Sequence, residues 1–408
     1  MLVSAATIAM TPDSLPQDTP LPRRAGAYTF AALFAVESFV RALNSTVVSL
    51  QAYDILGAAQ KVSVLSTGVS VAVLVSTLFL PHILGRTPRR WAYMMGIAMM
   101  MAASLALASH MVAGQALGML LRNLGAAVLN ITLQLYILDH IRRVDLARTE
   151  PLRLSLSTFS WMTGPALGVW LYVNYGPWAP QALAIVSAGA LFTLFLILRP
   201  SDSVTGQVAV NPGAFSALSN VRRFSAQPRL RLAWLIAFGR SCFWTTFFIY
   251  GPLLLVEAGL PKTLGGIMIS ASQAVLLTAW FSGRFARIHG VRTVIALSFA
   301  ACSLTSLTAG LAGTASPYLA IGSLLLGSVA ASALDGVGGI PFLRAVHHHE
   351  RQRMAAVYRT YIDCSELIPA FIFAFALLWL PIGSVFVILA VALMIVGGVA
   401  WRYLPKSL

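Results

Sequence analysis

Gly85-Arg86-Thr87-Pro88-Arg89-Arg90 and Gly283-Arg284-Phe285-Ala286-Arg287-Ile288-His289-Gly290-Val291-Arg292 are two versions of one short basic loop, each set between apolar runs long enough to cross a bilayer. Their charge has one sign and, on a reading of twelve apolar spans, one side. Of the 28 Lys and Arg residues, 23 fall on the side of these loops, 2 (Lys61 and Lys262) on the other, and 3 (Arg41, Arg122 and Arg240) inside the runs. A Lys/Arg excess in short loops marks the cytoplasmic side of a membrane protein. An even number of spans then predicts that both termini are cytoplasmic and that the protein resides in the inner, cytoplasmic membrane of the cell.

Composition points the same way. With 58% hydrophobic and 10% charged residues and a mean hydropathy of +0.79, a water-soluble chain would have far too little polar surface, so lipid is the expected solvent. The net charge of +15 is dispersed over loops that face one leaflet. It is matched by anionic lipid head groups, and no nucleic-acid partner is expected. Cys242, Cys302 and Cys364 stand singly in apolar runs and read as packing residues. The first residues lack the basic, apolar and small-residue succession of a removable signal, and Thr11 to Gly26 reads as a disordered tail.

A bilayer crossing takes about 20 apolar residues. On that template the first six spans fall at 27–50, 62–84, 91–111, 114–138, 155–174 and 178–198, and the second six at 230–256, 263–282, 293–313, 316–340, 358–380 and 382–402. The expected fold is all-α, two six-helix bundles over 27–198 and 230–403, with cytoplasmic tails at 1–26 and 404–408. A cytoplasmic linker is expected over 199–229, which is rich in Ser, Asn, Pro and Arg. The halves also repeat one another. Asp54, Gly57 and Lys61 follow the first span as Glu257, Gly259 and Lys262 follow the seventh, and Glu150-x-x-Arg153 follows the fourth as Glu350-x-x-Arg353 follows the tenth. The last two are preceded by Leu138-Asp139 and Leu334-Asp335. Repeated halves with a site between them are a common plan of secondary transporters.

These features resemble the major facilitator superfamily over essentially the whole chain. That family's loop between the second and third spans reads G-x-L-A-D-R-x-G-R-R. Here Pro81 to Arg90 keeps Arg86, Arg89 and Arg90, with Gly85 in place of the Asp and Pro88 where Gly is usual. The fifth span, Ser160-Trp161-Met162-Thr163-Gly164-Pro165-Ala166-Leu167-Gly168-Val169, is similar to the G-x-x-x-G-P-x-x-G-G pattern of the family's drug and proton antiporters, with Ser160 and Val169 replacing its end glycines. Gly164 and Gly168 offer a face for close helix approach and Pro165 a bend; packing alone and packing that marks an exporter both fit. Arg122 matches the Arg of the family's R-x-x-Q-G pattern in the fourth span, without its Gln. The resemblance implies transport by rocking of two bundles, with the first and fourth spans lining a cavity.

Charge at the bilayer centre costs about 2.5–3.5 kcal/mol on insertion scales, so each embedded charge needs a partner or a watery cavity. Glu37 and Arg41, spaced i,i+4, share one helix face and lie about 15 and 21 Å deep at 1.5 Å per residue. Arg122 reaches a similar depth from the other side, and Arg240 adds a cation from the second half. As a bland alternative, the Glu37 and Arg41 pair serves only to pin helices. On the functional reading Glu37 couples protons, while Arg41, Arg122 and Arg240, with Asn130, Gln134, Trp244 and Gln273, line a cavity whose surplus of positive charge suits an anionic or zwitterionic solute group. Asp335, Asp363 and Glu366 read as loop-to-helix pairs or as a second proton site. Arg86, Arg89, Arg90, Glu150, Arg153, Arg292, Glu350 and Arg353 form the expected cytoplasmic gate.

His347-His348-His349-Glu350 has adjacent, not i,i+4, spacing, so no metal site is expected there. No phosphate-binding loop, nucleophile elbow or zinc signature is present in the sequence, and no enzyme activity or cofactor is expected. The resulting expectation is a monomeric transporter that exports a small organic solute against protons. Uptake by symport or uniport, and a transport-dead sensor or scaffold, are the alternatives.

Overall fold

The structure is a computed structural model that describes residues 27–140, 143–198, 214–275, 279–346 and 350–405; the side chains of 138–154, 214–218, 279–283 and 351–353, with a few single positions, lie outside the description. Among the described residues the regular elements are helices and there is no strand. In the first half, α1 (Ala27–Leu43) and α2 (Val47–Leu56) share one passage, followed by α3 (Ala59–Arg86), α4 (Arg89–Ala108), α5 (Val112–His140), α6 (Arg143–Tyr175) and α7 (Trp178–Leu198). A connecting helix, α8 (Ala214–Ser225), precedes the second half. There α9 (Pro228–Glu257) leads to α10 (Lys262–Ala274) with α11 (Ala279–His289), and α12 (Val291–Ala312) to α13 (Pro317–Val337) with α14 (Ile340–Ala345). The last passages are α15 (Arg351–Tyr358) with α16 (Tyr361–Ala376), and α17 (Gly383–Tyr403).

Among the described residues, 9 candidate spans are long and apolar enough to cross a membrane on their own. The other passages, through α6, through α10 and α11, and through α15 and α16, are consistent with twelve. The chain is an all-α, multi-pass membrane protein. Its outer surface carries Phe79, Trp91, Leu105, Ile197, Leu311 and Trp379 largely uncovered, which is unfavourable in water and ordinary against lipid tails.

Each half has its own core. In the first, Phe30 and Leu33 of α1 pack with Tyr93 of α4, Leu129 of α5 and Phe195 of α7. In the second, Phe243 of α9 packs with Phe299 of α12, Leu324 of α13 and Phe386 of α17, and this cluster also takes in Ala52, Ala59 and Val62 from the first half. The halves therefore join around the turn where α2 ends and α3 begins. The repeated loop motif has a physical basis there: Gly57 (φ 75) and Gly259 (φ 78) both turn the chain through the left-handed region that glycine enters without a Cβ clash.

Three features depart from the expected spans. The first passage breaks at 44–46, where Ser45 donates to the Ala42 carbonyl at 2.7 Å and Gln181 donates to Asn44 Oδ1 at 2.9 Å. The Ser45 hydroxyl bonds back onto the preceding turn, a contact that often bends helices, and Gln181 ties the Asn44 side chain to α7. The fifth passage starts at Arg143, a full three turns before the expected 155, because helix continues past the apolar run. The connecting segment holds α8, whose Phe224 is buried against Leu230, Phe342 and Met354; one amphipathic face is enough to hold a short helix on the bundle.

Candidate functional site

One end of the molecule, bearing Asp54 and Lys262, is sealed by contacts between the halves. Lys262 Nζ lies 2.6 Å from each Asp54 carboxylate oxygen, and Tyr172 donates to the same carboxylate at 2.6 Å. The ammonium also stands 5.6 Å from the centre of the Tyr172 ring. Deeper in, Ser63 and Tyr250 share a hydrogen bond of 2.7 Å between α3 and α9, and the Ala166 amide donates to Ser270 Oγ at 3.0 Å between α6 and α10. A Cβ on Gly266 would sit 2.9 Å from the Pro165 carbonyl, so the backbones of α6 and α10 are in direct contact.

The same stretch of α6 fits tightly on α1. A Cβ on Gly164 would lie 2.7 Å from that of Ala42, and one on Gly168 would collide with the Leu43 carbonyl. Gly164, Pro165 and Gly168 thus occupy the position where α6 is gripped on both sides, by its own half and by the other.

Next to this seal lies a cavity of about 270 Å³ between the halves. The first half contributes Arg41, Arg122, Asn123 and Trp161, and the second Trp244 and Glu366. Ser45, Ser49, Ser66 and Ser70 add hydroxyls, and Thr245 faces them from α9. Glu37, 0% exposed, is not among the lining residues; it lies behind Arg41, which is 28% exposed and stands 3.7 Å away. Arg41 is therefore the only part of that pair in contact with the cavity.

Arg122 is weakly held. One Nη donates to the Arg41 carbonyl at 3.3 Å, the other reaches Asn123 Oδ1 at 3.5 Å, and Nε has no partner among the described residues. Asn123 in turn reaches across to Glu366 Oε2 at 3.5 Å, the outer limit of a hydrogen bond. Arg122 and Glu366 face one another across the cavity and feel each other's charge. They do not close to the 4.0 Å of an ion pair.

Arg240 behaves differently. Its guanidinium lies 3.1 Å from Asp335 and donates to the Tyr361 hydroxyl at 3.1 Å, while Trp244 Nε1 donates to the other Asp335 oxygen at 3.0 Å. Arg240 is absent from the cavity lining, and Trp244 presents its ring there while its N–H is engaged behind. Each of these cations has an acid near it: Glu37 beside Arg41, Asp335 against Arg240, and Glu366 across the cavity from Arg122.

The remaining expected residues are dispersed. Gln134 is exposed and donates to Asn130 at 3.1 Å, both away from the cavity, while Gln273 is buried beside Ser272. In the basic loops Arg86 and Arg90 are exposed, Arg292 stacks on the Trp401 ring at 4.5 Å, and Glu350 pairs with Arg223 of α8. The side chains of Glu150, Arg153 and Arg353 lie outside the described residues, as do His347 to His349. No group of three or more metal-ligating residues is found among the described ones.

Asn123 and Trp161 carry no signal in the sequence that marks them for the cavity, and Glu366 reads there as a helix-end residue. A depth count finds it. Glu366 lies eight residues beyond 358 and Arg122 eight beyond 114, which sets both about 12 Å in from opposite faces of a core roughly 30 Å thick.

The sequence profile of the Major Facilitator Superfamily matches residues 30–286. No curated protein matches the chain by sequence. Among solved structures, a bacterial homologue of the iron transporter ferroportin in an inward-facing state has a TM-score of 0.70 at 16% identity, covering 92% of this chain and 97% of that one. A POT family transporter in complex with 5-aminolevulinic acid has a TM-score of 0.70 at 11% identity, with 96% and 98% covered. A mutant form of the nucleoside transporter NupG has a TM-score of 0.70 at 12% identity, with 91% and 99% covered. At such identities the likeness is one of fold.

Proposed function

Because this chain belongs to the Major Facilitator Superfamily, we propose that it works as a secondary active transporter exporting a small organic solute in exchange for protons. The observation that carries this reading is the cavity between the halves, with Arg41 and Arg122 among the residues that line it. A site between the bundles that is lined by charged groups from both is what alternating access requires, since rocking then exposes one site to either side in turn. Arg41 and Arg122 hold an anionic group of the solute, and the Trp161 and Trp244 rings supply apolar wall.

The seal at Asp54 and Lys262 faces the outside and parts when the opposite end closes. Closure there draws on the basic loops, with Arg86, Arg89, Arg90 and Arg292 set against Glu150 and Glu350, and with Arg153 and Arg353 beside those acids. Asn130, Gln134 and Gln273 meet the solute path in the alternate state. Glu37 carries the proton through its hold on Arg41. Ionised Glu37 holds Arg41 at the cavity wall, where it takes the solute; a proton on Glu37 removes that hold, and Arg41 withdraws from the solute. Solute and proton then exclude one another, which is antiport.

Reconstitution in liposomes with an imposed pH gradient and a panel of labelled solutes tests this reading. Glu37→Gln is expected to keep solute binding and solute exchange while losing its dependence on the gradient. Arg122→Ala is expected to lose transport by about 100-fold or more, as befits removal of a desolvated, charged hydrogen-bond partner. Gradient-driven transport that persists in Glu37→Gln would remove the coupling role from that residue, and accumulation in the direction of the proton flow would replace export by uptake.

A further inference from the structure

We infer that the solute is a zwitterion, its anionic group held by Arg41 and Arg122 of the first half and its ammonium by Glu366 of the second. The inference rests on the transport reading and names the class of molecule that the cavity takes.

The first ground is the contrast among the acid–base pairs. Asp54 closes onto Lys262 at 2.6 Å and Asp335 onto Arg240 at 3.1 Å. Arg122 and Glu366 line the same cavity, face one another from different halves, and stay apart. Both have unused capacity for hydrogen bonds. Arg122 Nε is without a partner among the described residues, and its other bonds measure 3.3 and 3.5 Å. Glu366 accepts one bond of 3.5 Å, where a carboxylate has room for about four.

The second ground is what each class of solute would leave behind. A plain anion that engages Arg122 takes away the charge opposite Glu366, and a buried carboxylate without a cation is costly. A plain cation on Glu366 does the same to Arg122. A neutral solute leaves both charges as they are and gains little from either. A zwitterion laid across the cavity satisfies both at once, with charge-assisted hydrogen bonds at each end.

The walls suit a zwitterion. The rings of Trp161, Trp244 and Phe248 border the cavity, and Trp161 and Phe248 meet edge to face at 5.9 Å across the two halves. Indole faces attract cations. The hydroxyls of Ser66 and Ser70 line the cavity from α3 and add donors and acceptors. A cavity of about 270 Å³ has room for a solute of amino-acid size. A solute bound in this way also bridges the halves, so its presence bears directly on their relative motion.

Binding to the purified full-length protein in lipid nanodiscs tests the inference, with three series of probes matched in chain length: ω-amino acids, the corresponding carboxylates and the corresponding amines. Some length of ω-amino acid is expected to bind at least about tenfold more tightly than the carboxylate and the amine of that length. Glu366→Gln, which keeps shape and removes charge, is expected to abolish the preference over the carboxylate while leaving carboxylate binding in place. Arg122→Gln is expected to abolish the preference over the amine. Equal binding of carboxylates and ω-amino acids at every length would overturn the inference, as would a preference that survives Glu366→Gln. The wild-type series decides the point even if a variant fails to fold. If carboxylates bind and Arg122→Gln abolishes that binding without any zwitterion preference, the anion-export reading stands alone. If no probe of any series binds, the zwitterion inference falls and gradient-driven flux decides the transport reading.

Discussion

Arg122 and Arg240 are both arginines set deep in apolar helices, one in each half, yet their surroundings differ in kind. Arg240 has its acid at 3.1 Å on α13 of the same half, with Tyr361 and Trp244 completing the pair. Arg122 has its acid on α16 of the other half, and the two remain open to the cavity between them. Helices within one bundle are packed against each other at fixed distance, so a charge pair inside a bundle closes and stays closed. A pair split between bundles closes or opens with their relative position. The location of the partner therefore separates charges that hold the fold from charges that a solute can reach.

This distinction presumes that each half moves as a unit, and the contact between α1 and α6 is where that is easiest to break. Gly168→Val places atoms into the Leu43 carbonyl, and neither helix has an adjustable side chain at that point to give way. A loss of about 3 kcal/mol or more is expected from such overpacking, seen as poor yield of folded protein and a lowered Tm. Gly189, which has nothing within 4 Å of an added Cβ, is the control, and Gly189→Ala should leave both unchanged. A wild-type Tm in Gly168→Val would mean that the α1–α6 contact yields, and the rigid-half premise would go with it.

Asp335→Asn tests the closed pair. It leaves Arg240 without its counter-charge in a place where Arg240 is only 18% exposed. A cost of about 2–3 kcal/mol is expected, read as a lowered Tm. Replacing both partners, with Asp335→Leu and Arg240→Met together, should recover most of that loss, since a buried pair is often exchanged for apolar groups at little cost. Glu366→Gln should change stability by less than about 1 kcal/mol and leave Tm nearly unmoved, because no ion pair is broken. Equal destabilisation by Asp335→Asn and Glu366→Gln would erase the distinction between the two arginines.

The sequence carried much of this arrangement, and the limits of what it carried are physical. Apolar run length and loop charge are properties of the chain itself, so the passages and the embedded charges Glu37, Arg41, Arg122 and Arg240 are legible in it. Which acid meets which base is a property of packing. Asp54 with Lys61, and Glu257 with Lys262, repeat along the sequence as equivalent motifs, but the structure joins Asp54 of one copy to Lys262 of the other. Asp335 follows a loop pattern shared with Asp139, and only the approach of α13 to α9 reveals that it serves Arg240. Glu366 is within reach of a depth count, but its facing Arg122 is not. The break at 44–46 is hidden because its polar residues sit inside an apolar run, where helix continuation is the default expectation.

The seal at Asp54 and Lys262 combines both features of the comparison, since the pair is split between halves and is nonetheless closed. Its partners are 25% and 31% exposed, so the pair contributes about 0.5–1 kcal/mol and cannot by itself hold the halves together. The effect of removing it belongs to the balance between states and not to folding. Lys262→Met leaves Asp54 its bond from Tyr172 and removes only the cross-half cation. The population open at this end should then rise roughly two- to fivefold, which is that energy expressed as an equilibrium constant. A cysteine at Ser66, which lines the cavity next to the seal, reports it: an impermeant thiol reagent added on the Lys262 side should label Ser66→Cys faster by that factor in a background free of Cys242, Cys302 and Cys364. Exchanging the charges, with Asp54→Lys and Lys262→Asp in one chain, should return the rate toward its starting value, although Tyr172 would then face an ammonium in place of its acceptor. An unchanged labelling rate in Lys262→Met would show that the buried contacts of Gly266 with Pro165 and of Ser63 with Tyr250 set the balance, and that a closed pair between halves is no more than a consequence of their meeting.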